Sequence, residues 1–300
     1  MTAPLRVSVA DLGTNTVKIL HAARHEDGTI ERIEHNSNTI RLGAGIEETG
    51  RLEDSRIIAC LDYLEEQEAR GRELGSTSFI GVATEALRVA SNGGELLRRI
   101  ADETSWSIRI ITGEEEARLT LLGLREHVPT GQKTAIVDIG GGSTEIVVVE
   151  NEAVVWSRSL ALGSGRLSDR FFRKDPPGME ATALAFSSAL DALGPLGDIP
   201  VAVETVLFSG GNGVFLQALV EQLFPGDPLS IHTAERLLQH LSLTPASDTV
   251  NRLGIMLARA QVFPAGVAIA LAVLSKLRPA QVRGVPSGIQ IGLIEDLARS

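Results

Sequence analysis

The chain has 300 residues, enough for two domains that each bury a core of their own. Hydrophobic residues make up 43% and charged ones 22%, the profile of a globular protein and not of a disordered one. A net charge of −10 argues against wholesale binding to nucleic acid or an anionic membrane, and the lone Cys60 excludes a disulfide framework or a thiolate metal cluster.

No charged-then-apolar leader precedes Asp11. The longest uncharged apolar run, 262–274, is too short to span a bilayer and contains Pro264, so a cytoplasmic protein is expected. Residues 6–13 read as a strand ending in a tight turn, and 17–25 as a second apolar strand. Residues 54–74 are amphipathic at helical spacing, with Asp54 or Ser55 as the cap. A short buried strand at 79–84, a helix at 93–104, a strand at 107–112 and a helix at 114–127 follow. Strands flank the turn 140–143, and 156–162 reads as another strand. Then come a helix within 178–193, a strand at 204–209, and helices at 213–224, 233–241, 249–261 and 265–278. Alternating strands and helices predict α/β architecture with mixed sheets. The polar, Pro- and Gly-containing stretch 127–133 is the expected joint, giving halves 1–126 and 127–300.

An internal repeat carries the organisation. VSVADLGTNTVKIL (7–20) aligns with AIVDIGGGSTEIVV (135–148), with Asp11 against Asp138. Each copy reads strand, Asp, apolar, Gly, small residues, a hydroxyl and a second strand. Two such halves predict a duplicated fold whose turns face each other over a cleft. A Gly-rich turn lets successive backbone N–H groups converge on an anion, because no Cβ blocks approach. Thr14, Asn15, Thr16, Ser143 and Thr144 add side-chain donors. An Asp at a strand tip suits a hard cation such as Mg²⁺ that bridges phosphate oxygens. The plain alternative is a pair of hairpins with glycines for tight turns; two aligned copies that both keep Asp favour function.

Three further clusters are candidates. In ITGEEEARL, Thr112 and Glu115 fit a capping box, while Glu116 falls where the helix turns toward protein. Near phosphates its carboxylate is expected to have a raised pKa, the condition for a general base. Arg88 and Arg41 are candidate phosphate clamps, with a surface arginine as the ordinary alternative. Ser209, Gly210 and Gly211 open a helix and offer backbone donors. From 249 to 294 there is no acidic residue but five basic ones, Arg252, Arg259, Lys276, Arg278 and Arg283, a positive flank or a chance distribution.

ADLGTNTVK, ATEALRVASN, ITGEEEARL and VDIGGGSTE, in this order, resemble the Ppx/GppA family of exopolyphosphatases and guanosine pentaphosphate phosphohydrolases, from about Val7 to Leu297. The resemblance implies the duplicated actin/hexokinase/Hsp70-like (ribonuclease H-like) fold, two domains flanking a cleft, and Mg²⁺-dependent hydrolysis of a terminal phosphoanhydride, with Mn²⁺ as an alternative ion. It assigns Glu116 as catalytic base and Arg88 as a phosphate-binding arginine. It places Asp138, Asp11 and Glu145 at the metal. Thr14, Asn15, Gly140, Gly141, Gly142 and Ser143 become phosphate loops, and Arg166 matches a family arginine. The chain departs from the pattern at Gln261, where Asp is common, and at Gln290 and Ile291, where Arg and Glu are usual. It resembles the short two-domain form, in which the C-terminal helix can be expected to pack back on the first half. The expected activity is release of orthophosphate from linear, short-chain polyphosphate. The alternatives are pppGpp 5′-phosphohydrolysis, an ATP-dependent kinase of the same fold, and a non-catalytic polyphosphate or nucleotide sensor. No nucleic acid or membrane partner is expected, and the oligomeric state stays open, a homodimer included.

Overall fold

The computed structural model describes residues 4–151 and 153–297. It divides into two compact units, 1–123 with 289–300, and 124–288. The joint expected at 127–133 therefore stands slightly C-terminal to the division, and the last helix belongs to the first unit.

The first unit is a five-stranded sheet ordered β3-β2-β1-β4-β5. Its strands are β1 (Leu5–Leu12), β2 (Val17–Arg24), β3 (Ile30–Asn38), β4 (Ser78–Ala83) and β5 (Ser107–Ile110). β1 to β3 form an antiparallel meander, and β4 and β5 add in parallel. Helices α1 (Ile46–Thr49), α2 (Asp54–Glu73), α3 (Glu85–Val89), α4 (Gly93–Glu103) and α5 (Gly113–Leu124) follow the strands. The second unit repeats the plan, with order β8-β7-β6-β9-β10. Here β6 (Thr134–Ile139), β7 (Thr144–Glu150) and β8 (Ala153–Leu160) are the meander, and β9 (Thr205–Ser209) and β10 (Gln281–Val285) are the parallel strands. Its helices are α6 (Ser164–Phe171), α7 (Met179–Ala192), α8 (Gly210–Leu223), α9 (Ile231–Leu243), α10 (Ala246–Leu253) and α11 (Leu257–Leu277). The C-terminal α12 (Ile289–Leu297) closes the first unit. Each sheet is thus a ribonuclease H-like unit, and the chain is the expected duplication.

Alternation along β1 sends side chains to two different cores. Ala10 and Leu12 pack with Leu61, Leu64, Phe79 and Trp106 on the α2 side. Val7 and Val9 meet Leu119, Ile289, Leu293 and Ile294 on the α5 and α12 side. In the second unit α11 is the central core helix, with Val262 to Leu274 buried throughout. It is apolar and long enough by composition to cross a bilayer, but 78% of that window is buried within the protein. The expected break at Pro264 is corrected: α10 ends at Gly254 in the left-handed region (φ 65°), and α11 runs through Pro264. Burial of the surrounding residues outweighs the lost N–H. The amphipathic pattern placed α2 correctly, but its cap position is Glu53, with no side-chain bond there.

A buried polar chain crosses the α2 face. Ser8 Oγ lies 2.8 Å from His21 Nδ1, and His21 Nε2 lies 3.3 Å from Gln67 Oε1. Burial lowers the His21 pKa from its ordinary value, with the Gln67 hydrogen bond opposing. The folded chain therefore holds His21 neutral, whereas the unfolded chain gains a proton below about pH 6.5. The contribution is complete above that pH and lost as pH falls through the lowered folded value. The melting temperature is expected to drop between about pH 7.5 and 5.5, and the drop to shrink in His21→Asn; scanning calorimetry across that range measures both. An equally steep drop in the variant refutes the assignment to His21.

Candidate active site

Asp11 ends β1, buried, directly opposite Lys18 on β2. Lys18 Nζ donates to Asp11 Oδ2 at 3.1 Å. The turn that follows is closed by Gly13 N–H donating to the Thr16 carbonyl at 3.2 Å, and a Cβ on Gly13 would sit 3.0 Å from that oxygen. Its next two carbonyls are pulled back by a neighbouring loop. Gly43 N–H donates to Thr14 O at 2.8 Å, and Arg41 N–H donates to Asn15 O at 2.7 Å. Arg41 reaches this position in the left-handed region (φ 57°). In a trans peptide the carbonyl and the following N–H point in opposite directions. The amides of Asn15 and Thr16 are therefore turned away from that loop.

The second unit repeats the device with more anchors. Gly140 N–H donates to the Ser143 carbonyl at 2.9 Å, the counterpart of the first closing bond. Ser164 N–H and Oγ both donate to Gly140 O, at 2.9 and 3.1 Å. The Gly165 and Arg166 amides donate to Gly141 O at 2.9 and 3.1 Å. Arg166 Nε donates to Gly142 O at 3.2 Å. Three successive carbonyls are drawn to the start of α6, so the Gly141, Gly142 and Ser143 amides are presented on the other side, an anion-binding arrangement. Arg166, expected to touch phosphate, is seen here bracing the turn. Thr144 likewise donates its hydroxyl to Leu162 O.

Asp138 sits at the tip of β6, opposite Glu145 on β7 and next to Ser209 on β9. Glu145 is buried, and Ser159 Oγ donates to it at 2.6 Å. A Cβ on Gly210 would stand 3.1 Å from Asp138 Oδ1, and one on Gly211 would run into the Arg259 guanidinium. The glycines of this third turn thus admit Asp138 and Arg259 side by side. Burial pushes the Arg259 pKa down to about 10, against the pull of Asp138. Gly210 N–H faces Ser287 O at 3.5 Å, and Asn212 donates to Ile139 O.

In the first unit, Arg88 and Glu116 come together. Arg88 Nη1 donates to Ile111 O at 2.6 Å and lies 3.7 Å from Glu116 Oε2. Glu116 is buried at the start of α5, as its place in the apolar run required. Half of the capping box forms: Glu115 N–H donates to Thr112 Oγ1 at 3.1 Å, while the Glu115 carboxylate pairs with Arg109 at 2.6 Å.

Sequence reasoning missed Lys18 and Asn212 as site neighbours, and it named Arg259 only as one of five basic residues. Lys18 was visible as the charge that replaces Glu145 in the repeat. Among the described residues no three His, Cys, Asp or Glu side chains converge on a metal position. A Mg²⁺ here would rest on one or two carboxylates, with waters and phosphate oxygens completing its shell. Asp138 and Glu145 fit that demand, since they face each other across one rung of the sheet.

Fold and turns define a duplicated ribonuclease H-like protein. The sequence pattern of the Ppx/GppA phosphatase family matches residues 22–300, and the chain belongs to that family. It is 29% identical over 284 residues to the guanosine-5′-triphosphate,3′-diphosphate pyrophosphatase of Vibrio atlanticus, covering 92% of this chain and 56% of that protein. It thus spans little more than half of the Vibrio relative. It is 26% identical over 306 residues to exopolyphosphatase 1 of Mycobacterium tuberculosis, covering 97% of this chain and 87% of that one. The crystal structure of the Aquifex aeolicus family member superposes with a TM-score of 0.77 at 28% identity, covering 99% of both chains. An exopolyphosphatase from Cytophaga hutchinsonii shares the fold, with a TM-score of 0.88 at 22% identity over 98% of both chains.

A Cβ on Gly163 would overlap the Gly141 peptide that α6 pins in place. Gly163→Ala is expected to displace the second turn and cost about 1–3 kcal/mol, the usual range for overpacking. Urea unfolding followed by circular dichroism measures it.

Proposed function

We propose that this chain is a phosphoanhydride hydrolase that releases terminal orthophosphate from linear, short-chain polyphosphate. The observation that carries the reading is the pinned turn of the second unit, which turns three consecutive amides to the side away from α6. Such a cradle suits the equatorial oxygens of a phosphoryl group, where charge is stabilised during transfer. The matching turn of the first unit has the same form and offers the Asn15 and Thr16 amides with their side chains as a cradle of its own.

Glu116 is the general base in this reading. It accepts a proton from water as the water oxygen attacks the terminal phosphorus in line. The P–O bond to the chain breaks, and its electron pair leaves with the shortened chain. Arg88 orients the Glu116 carboxylate, anchored in turn on the Ile111 carbonyl, and offers its remaining donors to phosphate. Asp138 and Glu145 would hold Mg²⁺, which when bound supplies positive charge against the phosphoryl oxygens. Arg259 adds a cation beside Asp138, and Arg166 keeps the cradle closed.

The Vibrio relative supports a second reading, hydrolysis of the 5′ terminal phosphate of pppGpp. Phosphate release from short polyphosphate, long polyphosphate, pppGpp and ATP, each with and without Mg²⁺, separates the readings. Turnover fastest on short polyphosphate supports the first, and turnover on pppGpp alone supports the second. Absence of release on all four overturns both. Glu116→Gln is expected to lower kcat by roughly 100-fold or more with the fold intact, the scale of general base catalysis. Stopped phosphate-release assays beside a circular dichroism spectrum test it, and an unchanged kcat removes Glu116 from the role.

A further inference from the structure

Helix α2 turns one stripe of polar side chains, Tyr63, Glu66, Gln67, Arg70 and Glu73, toward the outer edge of the first sheet. Spacings of three and four residues place them on one side of the helix. Strand β3 answers with Glu34 and Asn36, two residues apart and so on one face of the strand. Between helix and strand lies an open hollow of about 610 Å³, a size in the range of small-molecule sites. It belongs to the face of the sheet that carries Ala10 and Leu12, whereas alternation sends Asp11 to the other face with Val7 and Val9.

Much of the lining is already bonded. Arg70 pairs with Glu34 at 2.7 Å and with Glu73 at 2.9 Å. Asn36 Nδ2 donates to Glu34 Oε1 at 2.7 Å and to Gln67 Oε1 at 2.9 Å. Two donors are left over. Tyr63 is only 7% exposed, and its hydroxyl meets no hydrogen-bond partner among the described residues. Gln67 is 4% exposed; its carbonyl oxygen is engaged by Asn36 and His21, while its amide nitrogen has no acceptor among the described residues. Buried donors are rarely left unbonded, so this pair calls for an acceptor from outside the chain. Burial and the Glu66 carboxylate hold the Tyr63 phenol above its ordinary pKa, so it remains a donor. Around it stand three carboxylates, Glu34, Glu66 and Glu73, against the single Arg70 guanidinium, and burial keeps His21 neutral behind Gln67. Such a hollow repels phosphate and attracts an ammonium.

We infer that the hollow between α2 and β3 is a second binding site, which takes a small organic cation that also carries hydroxyl oxygens, the class of the amino polyols. The ammonium is held by Glu66, the carboxylate that Arg70 leaves aside. Hydroxyl oxygens of the same molecule accept from Tyr63 and Gln67. The site requires neither the hydrolase reading nor a metal ion.

Three six-carbon probes separate the parts of the inference: glucamine carries both charge and hydroxyls, sorbitol only hydroxyls, and hexylamine only charge. Each is titrated into the full chain by isothermal titration calorimetry. Glucamine is expected to bind saturably with one equivalent, and sorbitol and hexylamine each to bind at least roughly tenfold more weakly. Tyr63→Phe is expected to weaken glucamine roughly tenfold while leaving hexylamine unchanged, and Glu66→Gln to weaken both amines. No saturable binding of glucamine overturns the inference. So does sorbitol or hexylamine binding as tightly as glucamine, or a folded Tyr63→Phe or Glu66→Gln that binds glucamine like the wild type. Should Tyr63→Phe fail to fold by circular dichroism, the exposed Glu66→Gln and the three probes still decide. Phosphate release judges the hydrolase reading separately, so either can fall without the other.

Discussion

One backbone bond recurs in both units and conditions the rest: the amide of the glycine after the strand-tip pair donates to the carbonyl three residues on. Gly13 bonds Thr16, and Gly140 bonds Ser143. The bond leaves little room for a side chain at either glycine, since a Cβ would stand 3.0 Å from the very oxygen that accepts it. A turn this tight sets the Asp before it at the sheet edge and the hydroxyl after it at the head of the next strand. Without it neither carboxylate nor amides would share a locality.

The turns differ in how their carbonyls are restrained. In the first unit a loop does the work, and Arg41 adopts a left-handed backbone to deliver its amide. A residue other than glycine, asparagine or aspartate in that region carries strain, which the hydrogen bonds at Asn15 and Thr14 offset. In the second unit the opening turn of α6 supplies four amide or hydroxyl donors and the Arg166 side chain adds a fifth. Both routes end the same way, with carbonyls behind and amides in front. The second turn is thus held by more bonds than the first.

Much of this was legible in the residues. The repeat of Asp11 and Asp138 could be read directly, and the apolar run after Glu116 announced that its side chain would turn inward. Periodicity found most of the helices. It failed where burial and pattern part company. β3 is a polar edge strand with no fully buried residue, so its sequence shows no apolar alternation to detect. β10 is short and half-covered, and α6 begins in a run of small residues chosen for close approach to the glycine turn. Pro264 misled because a proline inside a helix is costly in isolation, whereas here α11 is encased on all sides. The roles of Arg41 and Arg166 were hidden for another reason. Arg41 braces its turn through its backbone amide, which leaves no mark in the sequence, and a guanidinium such as that of Arg166 looks the same in sequence whether it braces a backbone or binds phosphate.

The departures from the family pattern near the C-terminus have a structural account of the same kind. Gln290 is buried on α12 and donates to the Val9 carbonyl at 3.0 Å and the Lys18 carbonyl at 3.1 Å, stitching the helix across β1 and β2. A neutral amide makes both bonds while adding no charge beside Lys18 and Asp11. Ile291, where the family usually carries a glutamate, packs against the core of Val9, Leu119 and Leu293. Gly292 allows α12 to lie directly on the Leu119 backbone of α5, the helix that begins with Glu116. With uncharged residues at 290 and 291, α12 packs on apolar neighbours and adds no charge beside the Lys18–Asp11 pair. With an arginine at 290, a second cation would bear on the carboxylate that Lys18 already neutralises.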